Sequence, residues 1–75
     1  MTTLDSLSVG GEATIVDVGG ARPLQRRLME FGILPGTRVR LVRRHALQGI
    51  VELEVRDSHL TLRAHEAGRL SVDRG

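Results

Sequence analysis

The sequence predicts a small, mainly β domain of about five short strands curled into a barrel, with one helix between strands one and two. Three observations predict it. Apolar residues alternate with polar ones around Val39 and Leu41, through Val51, Leu53 and Val55, at Leu60 and Leu62, and at Leu70 and Val72, the period of a half-buried strand. One stretch alone, Leu24, Leu28 and Phe31, recurs at i, i+4 and i+7, the period of a helix face. Glycines fall singly or in pairs between these runs, where short strands need turns.

Taken in order, Thr3 stands before Leu4 and Leu7 as a capping-type residue, so a single helical turn leads into Gly10-Gly11. Residues 12–18 read as the first strand; Ala13, Ile15, Val16 and Val18 give no clean alternation, which suits a strand with both faces partly covered. Pro23 marks the start of the helix, and Gly32 its left-handed end. On that helix Leu24, Leu28 and Phe31 face inward, Arg26 and Glu30 form an outer i,i+4 pair, and Met29 projects outward. Pro35-Gly36 is type II turn chemistry. In the next two strands, Val39 opposite Val55 and Leu41 opposite Leu53 set Arg40 across from Glu54. After a short connection at Asp57-Ser58, Val55 faces Leu60 and Leu53 faces Leu62; a brief turn over residues 65–68 then leads to Leu70, Ser71 and Val72. A barrel closed by the first strand removes the exposed edges of such a meander, and the helix plugs one end.

A chain of 75 residues is expected to be one domain, 1–75, burying only about 60% of the surface its unfolded form exposes. That leaves no room for a deep catalytic cleft, and phosphate-loop or nucleophile-elbow motifs are absent, so no enzyme and no cofactor are expected. Without cysteine there are neither disulfides nor thiolate metal sites. No apolar run approaches a membrane span, and no leader pattern opens the chain; a cytoplasmic protein with no direct membrane insertion is expected. The sequence pI near 11.0 contrasts with a formal net charge of only +2. Every basic residue is Arg, and there is no Lys, Tyr or Cys, so almost nothing titrates between histidine and arginine. A mixed charge distribution and one aromatic, Phe31, argue against a nucleic-acid partner.

His45, His59 and His65 have no HxH or HxxxH spacing and read as solvated surface histidines, so no metal site is expected. Arg38, Arg40, Arg43 and Arg44 form the densest basic stretch, yet Glu52 and Glu54 lie beside it, which points to an ion-paired wall. Met29 and Leu47, with Arg26 and Glu30, are the candidate partner-binding residues, because none of them has a core role.

The pattern Leu24-x-x-Arg27-Leu28-x-x-Phe31-Gly32-Ile33-x-Pro35-Gly36-x-x-Val39, followed by Leu62-Arg63-x-x-Glu66-Ala67-x-x-Leu70-x-Val72, resembles the FeoA family across nearly the whole chain. The resemblance implies an SH3-like barrel, in which Leu28, Gly32, Pro35, Gly36, Leu62, Glu66, Ala67 and Val72 are structural. It also implies a partner, the cytoplasmic GTP-binding region of a FeoB-type ferrous-iron transporter, bound and regulated by an accessory module. The chain departs from the Ala-Pro-x-Gly-Asp-Pro loop of many members, carrying His45-Ala46-Leu47-Gln48-Gly49-Ile50 instead. Two alternatives compete with this function: a stand-alone SH3-like regulatory domain akin to that of metal-dependent repressors, and a small RNA-binding barrel suggested by residues 36–40. Nothing in the sequence speaks to the oligomeric state.

Overall fold

The computed structural model describes residues 2–74 of the chain; Met1 and Gly75, the ends of the expected 1–75 unit, lie outside the described residues. One antiparallel sheet contains β1 (Thr2–Thr3), β2 (Glu12–Val18), β3 (Arg38–His45), β4 (Ile50–Val55), β5 (Ser58–Arg63) and β6 (Leu70–Asp73), in the order β1-β6-β2-β3-β4-β5. Helix α1 (Arg22–Phe31) joins β2 to β3, and α2 (Ala64–Ala67) joins β5 to β6. Single 3-10 turns cover Leu4–Ser6 and Ala46–Gln48.

The architecture is mainly β, with three differences from expectation. Among the described residues the sheet has six strands rather than five, because two-residue β1 is too short to show a period in sequence. The long helix therefore follows the second strand, and α2 forms where only a turn was expected. Among the described residues the hydrogen-bonded sheet does not close into a barrel, since β1 and β5 are its two ends. Instead the segments that follow the two edge strands, the Leu4–Ser6 turn and α2, pack on each other. Arg44 holds that turn down: its Nη2 donates to the carbonyls of Asp5 (2.9 Å) and Leu7 (2.6 Å).

The β3–β4 pairing follows the alternation as far as Leu41, after which a register shift sets Arg43 opposite Glu52 and Arg44 opposite Val51. Arg40 faces Glu54 and Leu41 faces Leu53, and the two charges meet at 2.6 Å. The β4–β5 register differs from expectation by two residues, with Leu53 opposite Leu60 and Val51 opposite Leu62. The reason is the hairpin turn, which uses Arg56 and Asp57, with Arg56 in the left-handed region at φ 57. In β2 the broken alternation comes from a register shift between Ile15 and Asp17, which leaves Val16 exposed while Ala13 and Ile15 are buried. One apolar cluster unites sheet and helix: Leu28 is fully buried, with Leu24 and Phe31 partly buried beside it. The expected Arg26–Glu30 pairing does not form; Arg27, one residue along, instead meets Glu66 of α2 at 3.5 Å.

Candidate functional site

Helical spacing builds the candidate site from α1's outer face. Arg22, Arg26 and Met29 recur at i, i+4 and i+7, so they share a stripe that Leu24 and Leu28 do not occupy. That stripe lines an open groove of about 450 Å3 whose other walls are Asp17 and Val18 of β2 and residues 33–35 after the helix. Gln25 ties the walls together, its Nε2 donating to the Val18 carbonyl at 3.2 Å.

The far wall depends on how α1 ends. Gly32, at φ 99, donates its N–H to Met29 O (3.0 Å), and Ile33 N–H donates to Leu28 O (2.8 Å), a Schellman ending. This reversal drives Ile33 into the core, 1% exposed, and turns Leu34 outward, 47% exposed. The next turn is equally fixed: Thr37 N–H donates to Leu34 O (2.9 Å), with Gly36 at φ 95. Gly36 N–H also donates to Ile15 O (2.7 Å), and Ile15 N–H to Thr37 O (2.8 Å), clipping the turn to β2. Met29 is 56% exposed, so the groove presents two large apolar side chains, one of them on a backbone held at both ends.

On the other side of the same turn lies a wider open groove of about 700 Å3, lined by Arg38, Arg40 and Arg56 with Glu12 and Glu54. Arg38 meets Glu12 at 3.4 Å and Arg40 meets Glu54 at 2.6 Å. The expected ion-paired wall forms only in part: Arg40 meets Glu54, but Arg38 takes Glu12, Glu52 lies beside His45, and Arg44 binds backbone carbonyls.

Of the sequence-predicted partner residues, the structure brings Arg26 and Met29 together in the α1 groove. Glu30 is exposed on α1 but does not line it. Leu47 is fully exposed on the Ala46–Gln48 turn. That turn follows the end of β3 whereas Leu34 precedes its start, and Leu47 lines neither the α1 groove nor the groove beside it. Leu34 escapes the sequence reading; its signal is two adjacent apolar residues between a Gly cap and a Pro-Gly turn, which cannot both point inward. His45 and His59 lie beside glutamates, at 3.3 Å from Glu52 and 3.5 Å from Glu54, and His65 is exposed on α2. No group of three or more metal-ligating side chains occurs among the described residues.

A family model of the FeoA domain matches residues 2–74. The chain belongs to the FeoA family. A search of the curated proteins found no match. Among solved structures this FeoA chain is similar to the FeoA protein of Chlorobium tepidum, with TM-score 0.92 and 27% identity over 97% of this chain and 70% of that one. It is also similar to Stenotrophomonas maltophilia FeoA complexed with zinc, described as a prokaryotic SH3 domain protein and a candidate ferrous iron transport activating factor. There the TM-score is 0.83 and identity 29%, over 97% of this chain and 91% of that one. A manganese-dependent transcriptional repressor shares the fold alone, at TM-score 0.87 and 20% identity, over 97% of this chain and 41% of the repressor. Within the FeoA pattern, Leu28, Leu62, Ala67 and Val72 are all buried, and Gly32 and Gly36 are its two left-handed turns.

Proposed function

We propose that this FeoA chain is an accessory module that docks through the α1 groove on the cytoplasmic GTP-binding region of a FeoB-type ferrous-iron transporter and regulates it. The observation that carries the reading is the family match over residues 2–74; the groove supplies a place for it. An exposed methionine beside an exposed leucine, with arginines at the rim, has the apolar centre and polar edge of a compact protein interface. The description of the Stenotrophomonas maltophilia relative as a candidate transport activating factor agrees with a regulatory role.

The module binds rather than catalyses. Its expected place is the cytoplasm, beside the transporter, and no helix among the described residues is long and apolar enough to cross a membrane. Of the partner-contact set, Arg26 and Met29 form its centre, and Glu30 and Leu47 are separate surface points.

Pull-down of the transporter's purified cytoplasmic domain tests this. Met29→Asp is expected to weaken capture while leaving the thermal midpoint in place, since exposed substitutions usually change stability by within about 0.5 kcal/mol. Undiminished capture by a folded Met29→Asp, Leu34→Asp double variant would remove the groove from the interface.

A further inference from the structure

The two grooves share Leu34 and Pro35, so they form one continuous surface that passes over the turn between them. Its charges are unevenly committed. Five arginines line it against three carboxylates, and Glu12 and Glu54 are already held by Arg38 and Arg40. Among the described residues, Arg22 and Arg26 on the α1 side, and Arg56 on the β4–β5 turn, make no ion pair and no side-chain hydrogen bond. Asp17 is the one carboxylate on this surface left unpaired among those residues. Arg56 is brought in by its left-handed backbone, and its Nη1 lies close enough to Gly32 that a Cβ there would sit 3.5 Å away. Uncommitted guanidinium groups thus stand at both ends, and exposed Met29 and Leu34 stand between them.

We infer that this surface docks an acidic segment of a protein partner, with an apolar side chain seated between Met29 and Leu34 and carboxylates reaching Arg22 and Arg26 on one side and Arg56 on the other. The inference rests on the docking function proposed above and names the chemistry of the segment recognised. Guanidinium forks match carboxylates in two-point geometry, and an arginine beside an apolar anchor is the composition of an energetic hot spot. A nucleic-acid strand fits less well. It offers phosphates without an apolar anchor, and the aromatic needed for base stacking is limited to Phe31, half-buried against the core.

Fluorescence polarisation with a labelled synthetic peptide, paired leucines flanked by glutamates, tests the inference. Replacing the glutamates by glutamine, or the leucines by serine, is expected to weaken binding roughly ten-fold or more. The Arg22→Glu, Arg26→Glu double variant is expected to lose the acidic peptide and to gain a peptide with lysines in place of the glutamates. Equal binding of the neutral peptide, undiminished binding by the double variant, or tighter binding of oligouridine RNA of equal charge would overturn it. The same double variant separates this inference from the function beneath it. Transporter capture that survives Arg22→Glu, Arg26→Glu sinks the acidic-segment inference and leaves docking standing. Specific binding of the acidic peptide without any capture of the transporter domain supports the surface chemistry and sinks the assigned partner.

Discussion

Ile33 and Leu34 are neighbours of nearly equal hydrophobicity, yet the first is 1% exposed and the second 47%. The difference is made by backbone: a Schellman ending before them and a Pro-Gly turn after them. Because Gly36 sits at φ 95 with nothing within 4 Å of where a Cβ would stand, Gly36→Ala costs backbone strain alone. It is expected to destabilise the fold by about 1–2 kcal/mol, read from a urea midpoint, and to weaken docking by loosening Leu34. An unchanged midpoint would show that the turn does not need the left-handed residue. Leu28, fully buried between helix and sheet, is expected to cost about 2–5 kcal/mol on Leu28→Ala. A small loss there would mean the helix packs loosely. For the histidines, two of which sit singly beside glutamates, calorimetry with ferrous iron is expected to show no tight stoichiometric site. A site abolished by His59→Ala would contradict that.

Elements were legible in proportion to their length and period. Strands β3 and β4 alternate over the residues that pair Arg40 with Glu54, and α1 repeats its apolar face along its length, so that part of the pairing and the helix could be read directly, whereas the register shift between Leu41 and Arg43 could not. The β4–β5 register could not, because it hangs on Arg56 adopting φ 57, a conformation that turn chemistry assigns to glycine or asparagine rather than arginine. Strand β2 hid its bulge, since Val16 is apolar whichever way it points. Helix α2 lacks the usual Ser, Thr, Asp or Asn cap; the Arg63 N–H instead donates to Glu66 Oε1 at 2.9 Å. That bond gives an element-scale test. Glu66→Ala is expected to cost about 1 kcal/mol in stability, while Glu66→Gln keeps the backbone bond and loses only the ion pair to half-exposed Arg27, within a few tenths. Equal losses from both would assign the effect to the charge pair.

At the scale of the whole molecule, the mainly β architecture was legible in the alternation and the turn residues, and the family was legible as a resemblance carried by motif residues such as Gly32, Pro35-Gly36, Leu62 and Ala67. The proposed docking surface was only half legible. Arg26 and Met29 could be placed on α1's outer face from the helical period, but Leu34 and Arg56 reach the same surface through two left-handed turns and the β4–β5 hairpin, which join residues distant in sequence. Leu47 looks equivalent to Met29 as an isolated apolar residue, and the fold sets it at the opposite end of β3. These placements make docking through one face the central claim. Nuclear magnetic resonance of the 15N-labelled chain, titrated with the unlabelled cytoplasmic domain of a FeoB-type transporter, tests it most directly. Amide shifts and broadening are expected to concentrate at residues 22–36 and at Arg56, leaving residues 46–48 unmoved. Perturbation centred on Leu47, or none at saturating transporter domain, would contradict it.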